Sequence, residues 1–308
     1  MKKREFAFIL FLGGMMLAGL TACAGDDDPA DRPDDGVKVR HMTITQTDGA
    51  AARQVLTRAT LTENDGLSAS WTAGDRLTYC NLSRTSMTYD IYSGPLTATS
   101  SAVTSQFTGD VECRQGDYLA VLYPAATFTT NESYTISLAG QDGTLGTLAK
   151  KYHYVFGKAY VTSVTDNTAD ATMEKMKSLL TVCKFSFVDK ASGKAIPIQT
   201  LAISYGGTGS DADKYPQTAT VTIKDDKTIG IFEQADVHAT GMAGSSPLLL
   251  EGSGEAQAFY VALLPTSYNR TFNFTVTNSS GTYSGTAKAT LNEGEYVVAT
   301  GLKLTKNN

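Results

Sequence analysis

The chain predicts an all-β protein arranged as two consecutive β-sandwich halves. From residue 40 onward Thr, Ser, Val, Tyr and Gly dominate, and short runs alternate apolar with polar residues, the period of a half-buried strand. Turn dipeptides separate the runs: Asp65-Gly66, Asp142-Gly143, Gly206-Gly207 and Ser280-Gly281. One stretch alone has a helical period.

The N-terminus reads as a targeting segment. MKKRE places Lys2, Lys3 and Arg4 ahead of an apolar run from Phe6 to Leu20 that is too short to span a bilayer comfortably. The ending Leu20-Thr21-Ala22-Cys23 resembles the bacterial lipobox, which implies cleavage after Ala22 and acylation of Cys23. Several acyl chains on one residue, each contributing about 0.8 kcal/mol per buried methylene, hold a protein on a membrane without spanning it. Residues 23–40 follow as an acidic leash. Asp26, Asp27, Asp28, Asp31, Asp34 and Asp35 sit among Pro and Gly, a composition that cannot bury enough apolar surface to fold. An acidic run directly after a lipidated Cys also resembles the signal that sends some Gram-negative lipoproteins to the outer face of the outer membrane.

Beyond the leash, HMTITQT at 41–47 alternates with Met42 and Ile44 on one face and Thr43 and Thr45 on the other. Further strands are expected at Arg76–Leu82, Met87–Tyr92, Asp117–Tyr123, Tyr134–Leu138, Lys184–Val188, Gln199–Tyr205, Ala219–Lys224, Gln257–Leu264, Thr271–Thr277 and Glu295–Leu304. Ala171–Leu180 spaces Met173, Met176 and Leu180 by three and four residues and predicts a helix. It serves as the junction between an N-terminal domain, 41–170, and a C-terminal domain, 171–308. LAVLYP at 119–124 and VALLP at 261–265 are alike, although no exact repeat is present.

Charge excludes nucleic acid as a partner. Of 26 basic and 31 acidic residues, loss of the signal segment removes Lys2, Lys3, Arg4 and Glu5 and leaves a net charge of about −7. Catalytic chemistry is also missing. His41, His153 and His238 are far apart, and no nucleophile elbow, P-loop or dinucleotide fingerprint is present. GGTGS at 206–210 reads as a loop tip, and Asp211, Asp213, Asp225 and Asp226 lack calcium-loop spacing. Cys80, Cys113 and Cys183 form no C-x-x-C pair, so zinc is not expected. Either Cys80 pairs with Cys113 or all three are buried thiols. Tyr79, Tyr89, Tyr118, Tyr123 and Tyr260 lie in apolar strand patterns, and Trp71 precedes a Gly-Asp turn under which it is expected to pack. No enzyme activity, cofactor or metal is expected.

Several loose motifs occur in an order that resembles the fimbrillin family, the lipoprotein-derived (type V) pilins of certain Gram-negative bacteria. They are Arg58-Ala59, then Trp71, Gly74, Asp75 and Leu77; Phe107 and Gly109; Tyr118, Ala120, Tyr123 and Pro124; Gln141; LLTVCKFSF at 179–187; YVALLP at 260–265; and LNEGEY at 291–296. Lys177-Ser178 stands where the family pattern would place a His. The match covers nearly all of residues 55–305. It implies two transthyretin-like sandwiches and a structural subunit, whether stalk, tip or anchor, of an adhesive surface fimbria. By this resemblance the partners are other fimbrial subunits, the outer membrane through the lipid anchor, and an Arg-specific surface protease. The protease removes the leash with the first strand, and a neighbour's C-terminal strand takes its place by strand addition.

Arg40, Arg53 and Arg58 lie between leash and core, with Arg58 the first candidate for cleavage and Arg53 the second. Met42 and Ile44 mark the expelled strand. Tyr296, Val298, Leu302 and Leu304 are expected on one face of the donor strand, where four such side chains contribute about 6–12 kcal/mol before ordering costs. The same strand could instead complete its own domain. A surface glycan-binding lipoprotein is the alternative function, and it predicts a planar set of exposed aromatic rings on one loop face.

Overall fold

The computed structural model describes residues 36–47, 60–63, 66–83, 93–130, 133–174, 176–226, 231–239 and 246–307. Cys23, Arg53 and Arg58 lie outside the described residues, as does the strand expected at Met87–Tyr92.

The described residues are almost entirely β. The first half contains β1 (Lys38–Gln46), β2 (Thr60–Glu63), β3 (Leu67–Ser70), β4 (Arg76–Asn81), β5 (Ser93–Ala98), β6 (Gln106–Cys113), β7 (Tyr118–Tyr123), β8 (Phe128–Thr130) and β9 (Ser133–Ser137). A helical turn at Leu145–Tyr152 leads to β10 (Val155–Val164), β11 (Thr168–Met173) and β12 (Lys177–Ser178). The second half holds β13 (Thr181–Asp189), β14 (Thr200–Tyr205), β15 (Thr218–Asp226), β16 (Ile231–Ala239) and β17 (Leu248–Glu251). It ends with β18 (Phe259–Leu263), β19 (Arg270–Asn278), β20 (Gly281–Ala289) and β21 (Tyr296–Lys306).

Seven strands close into a barrel in the order β11-β1-β6-β5-β4-β7-β10, because β11 bonds to β1 on one side and to β10 on the other. Alternate side chains fill the interior: Met42 and Ile44 from β1, Phe107 and Val111 from β6, Leu119, Val121 and Tyr123 from β7, and Ala169, Ala171 and Met173 from β11. The second half forms a sheet ordered β17-β14-β19-β20-β21-β13-β18. A further sheet, β16-β15-β9-β8, joins strands from both halves. In the second core the rings of Phe185 and Phe187 lie 5.1 and 5.6 Å from that of Phe274.

The two cores share walls. β7 sends Leu119, Val121 and Tyr123 into the barrel and Ala120 and Leu122 into the second core, which explains why YLAVLY reads as a continuous apolar run. β4 divides in the same way, with Leu77 and Tyr79 on one side and Cys80 on the other.

Three expectations need correction. The helix expected over Ala171–Leu180 is absent. Met173 ends β11, which alternates buried Ala169, Ala171 and Met173 with outward Thr168, Asp170 and Thr172, and both strand edges are paired. Met176 and Leu180 are buried because the chain there crosses from one core to the other, and the methionines pack on Gly157. A change of domain at 170 therefore falls inside a barrel strand. The handover comes at Thr181, while Phe128, Tyr134, Ile136, Leu148 and Tyr152, all earlier in the chain, already belong to the second core.

The third correction concerns β21. Its register against β13 slips by one residue between Ala299 and Leu302. Gly301 supplies the bulge with φ of 68°. The slip reverses the facing: Val297 and Ala299 pack on the core before it, and Leu302 and Leu304 after it. Leu304 is 1% exposed and Val298 55%, so the four residues do not share a face. Nothing lies within 4 Å of a Cβ built at Gly301. A Gly301→Ala substitution therefore acts through the backbone alone, and denaturant titration should show a loss of about 1 kcal/mol. An unchanged midpoint would contradict the bulge.

Candidate strand-exchange site

β1 lies between two strands distant from it in sequence. It pairs antiparallel with β6 from Lys38–Cys113 to Thr45–Gln106, and parallel with β11 from His41–Thr168 to Gln46–Met173. Its burial alternates as KVRHMTITQ requires: Arg40, Met42, Ile44 and Gln46 point inward. Met42 and Ile44 are fully buried, each contributing about 1.5–3 kcal/mol.

Polar contacts fix both ends of the strand. Arg40 Nε donates to the Thr165 carbonyl at 2.6 Å, and its Nη1 donates to the carbonyls of Cys113 and Lys38. A guanidinium can be buried here because backbone oxygens receive its protons. At the other end the Trp71 indole N–H donates to Gln46 Oε1 at 3.1 Å. Trp71 is buried as expected and meets Phe107 and Tyr123 edge-on, with ring centroids 4.9 and 5.3 Å away. The turn after it is closed by Asp75, whose Oδ2 accepts from the Thr72 N–H at 2.7 Å, while Gly74 takes φ of 91°. The Trp-x-x-Gly-Asp motif thus positions the indole that receives the end of β1.

The donor candidate, β21, completes its own sheet. It lies between β13 and β20, but its ladder to β20 is limited to Tyr283–Lys306 and Ser284–Thr305. Met42 and Ile44 are thus gathered in one groove, while Leu302, Leu304 and the half-buried Tyr296 pack against the other core and Val298 is exposed.

A four-residue cluster that sequence reasoning missed binds the β2–β3 hairpin to the second sheet. Glu63 receives Lys184 Nζ on both carboxylate oxygens at 2.8 and 2.7 Å, the Tyr260 hydroxyl at 2.5 Å and the Tyr296 hydroxyl at 2.7 Å. The Lys184 ammonium and the two hydroxyls hold the Glu63 carboxyl down at about 2, and Glu63 in turn raises Lys184. Positions 63, 184, 260 and 296 have no common motif, so no local signal could have found them. Gln141 was legible only as a motif residue. Its buried amide donates to the Leu138 and Ala262 carbonyls and accepts from the Ala262 N–H, capping the edge strand β18.

The remaining candidates do not converge. Cys80, Cys113 and Cys183 are buried and form no disulfide among the described residues; burial pushes Cys80 up to about 12 and raises the other two. His41 is exposed beside Asp110 and His153 is buried. No group of side chains able to hold a metal occurs among the described residues. Asp211 pairs with Arg270 at 2.8 Å, and Asp213 accepts from Asn273 at 2.9 Å. The Gly206–Ala212 loop lines an open cleft of about 320 Å³ with Tyr268 and Arg270. Among the described residues the strongly exposed aromatics are Tyr160 at 41% and Tyr268 at 57%. Tyr160 is in the barrel strand β10 and Tyr268 in the loop leading to β19, so they form no planar set.

No family model matches the chain, and no curated protein matches it. Among solved structures, it is similar to a variant of a shaft pilin from Lactobacillus rhamnosus GG at 10% identity, covering 88% of this chain and 99% of the other with a TM-score of 0.37. It is also similar to a protein from Bacteroides eggerthii described as a cell adhesion protein, at 15% identity, 85% of each chain and a TM-score of 0.39. A Streptococcal ancillary pilin matches at 12% identity, over 87% of this chain and 69% of the other, with a TM-score of 0.30. These are loose overlaps of β architecture.

Two outcomes follow from the contacts. Gln46→Leu leaves the buried Trp71 N–H without its acceptor and should cost about 1–3 kcal/mol by denaturant titration, whereas the outward Thr45→Val should cost under about 0.5. Equal effects would contradict the role of the Trp71 contact. Because the folded Glu63 carboxyl is held below its ordinary value of 4.5, its stabilisation is complete above pH 4.5 and is lost as pH falls toward about 2. Glu63→Gln should weaken the protein at neutral pH and flatten the stability profile across that window. An unchanged profile would contradict the cluster's contribution.

Proposed function

We propose that this chain is a structural subunit of an adhesive cell-surface fimbria, assembled by strand exchange after proteolysis. It reaches the outer face of the outer membrane as a lipoprotein acylated at Cys23. An Arg-specific surface protease cuts at Arg58, or at Arg53, and frees β1 with its acidic leash. The C-terminal strand of a neighbouring subunit then fills the groove.

The observation that carries this reading is the position of β1. It is the first strand of the barrel, yet it bonds on both sides to strands that come much later, β6 and β11. A cut between 47 and 60 separates it from the rest while every other barrel strand stays on one continuous chain. Its departure uncovers two ladders of backbone donors and acceptors and an apolar floor, which is what strand addition requires. Arg40 is no substitute for the candidate cleavage sites, because its guanidinium is buried and bonded to three carbonyls.

β21 supplies the donor in this reading, led by Leu302 and Leu304. Tyr296 and Val298 enter only if the bulge at Gly301 straightens when the strand leaves its sheet. Two inward leucines contribute about 3–6 kcal/mol, half the sum expected for four side chains. The joint therefore depends on ladder hydrogen bonds as much as on burial.

Digestion of the purified full chain with an Arg-specific protease, followed by sizing and mass analysis, tests the proposal. The expected products are a cut at Arg58 or Arg53, an intact Arg40 bond while the barrel is folded, and a ladder of multimers. Resistance between 47 and 60, or cleavage that leaves only monomers, would overturn it.

A further inference from the structure

The groove under β1 is chemically directional. At one end stand the carbonyls of Thr165 and Cys113, which receive the Arg40 guanidinium. At the other stands the Trp71 indole N–H, which needs an acceptor and finds it in Gln46. Between them are the fully buried places of Met42 and Ile44. An occupant therefore has to present, at alternate positions, a cation, two apolar side chains and a hydrogen-bond acceptor.

Alternate positions at the C-terminus read Thr300, Leu302, Leu304 and Lys306. Taken from Lys306 backward they match Arg40, Met42, Ile44 and Gln46 in order: cation, apolar, apolar, hydroxyl acceptor. Taken forward they place the Lys306 ammonium against the Trp71 N–H, donor against donor, and leave the two carbonyls without a cation. Lys306 is exposed in its own sheet. Gly301, at φ of 68° in that sheet, tolerates both the bulge and the extended form this register needs.

We infer that the β1 groove of one copy takes the C-terminal strand of a second copy running opposite to β1, with Lys306 in the place of Arg40 and Thr300 accepting from Trp71. The inference rests on the strand-exchange reading above and adds to it a direction, a register and a residue that sets specificity. Both strand edges remain satisfied in this arrangement, since the incoming strand runs parallel to β6 and antiparallel to β11.

Cysteine pairs distinguish the two directions. In the inferred register Thr305 occupies the place of His41, opposite Asp110; in the reverse direction it occupies the place of Thr45, opposite Gln106. Full chains carrying Thr305→Cys with either Asp110→Cys or Gln106→Cys are digested with the Arg-specific protease, oxidised and sized under denaturing conditions. Intermolecular disulfides in the 305–110 pair alone are the expected result. Links in the 305–106 pair, or multimers that form with neither link, overturn the inference while leaving strand exchange intact. Absence of multimers from the unsubstituted chain overturns the underlying reading and the inference with it. As a second measurement, Lys306→Glu should reduce multimer yield by at least about tenfold, because it sets a carboxylate against two carbonyl oxygens. Lys303→Glu, on the opposite face of the strand, should leave the yield unchanged. Equal yields from the two variants would also overturn the inference.

Discussion

The barrel holds together because one short strand is bonded on both edges. β1 supplies the ladder that β6 and β11 otherwise lack, and closure through β10 and β11 makes sense only while that ladder is filled. The interior is arranged around the same strand. Phe107 and Trp71 pack edge-on within the core that holds Met42 and Ile44, the indole N–H points at Gln46, and the carbonyls of Thr165 and Cys113 converge on Arg40. An occupant of that groove is obligatory, but nothing in the ladder requires it to be covalently joined to its neighbours. That separation between bonding and connectivity is the physical basis of the proposed exchange.

The rest of the molecule carries packing and polar contacts that do not involve β1. β4 and β7 each face the barrel on one side and the second core on the other, so the barrel wall opposite the groove is supported by Ala120, Leu122 and Cys80 packing outward. Glu63 ties the hairpin that follows the candidate cleavage sites to Lys184, Tyr260 and Tyr296. The new N-terminus produced by a cut at Arg58 would be Ala59, one residue before β2, which this cluster holds on the second sheet. Tyr296 is also the first residue of β21, so the same carboxylate restrains the base of the proposed donor strand.

Where side chains alternate plainly, sequence reasoning recovered the structure. HMTITQT showed its inward Met42 and Ile44, and most expected strands of the second half lie within a few residues of their place. Strands built from small residues were missed: β11 offers Ala169 and Ala171, and β20 is largely Gly, Thr and Ala, so neither shows an apolar period. Met173 at the end of β11 and Met176 just after it imitated a helix because their three-residue spacing reflects a crossover between cores. On β21 a single inserted residue at Gly301 exchanged inside for outside, an effect that alternation cannot anticipate since one slip moves every later side chain to the other face. The contacts that define the site, Trp71 with Gln46 and Glu63 with its three partners, join residues with no common pattern. They became visible only when the sheets were assembled.

The central claim is that β1 is a replaceable closing strand. Amide hydrogen exchange across Gln106–Cys113 and Thr168–Met173, the two strands that flank it, tests this most directly. The amides of these strands that bond to β1, rather than to β5 or β10, should be protected in the full chain, exchange rapidly in monomer from which β1 has been removed, and regain protection in multimers. Protection that persists in the monomer without β1 would contradict the account.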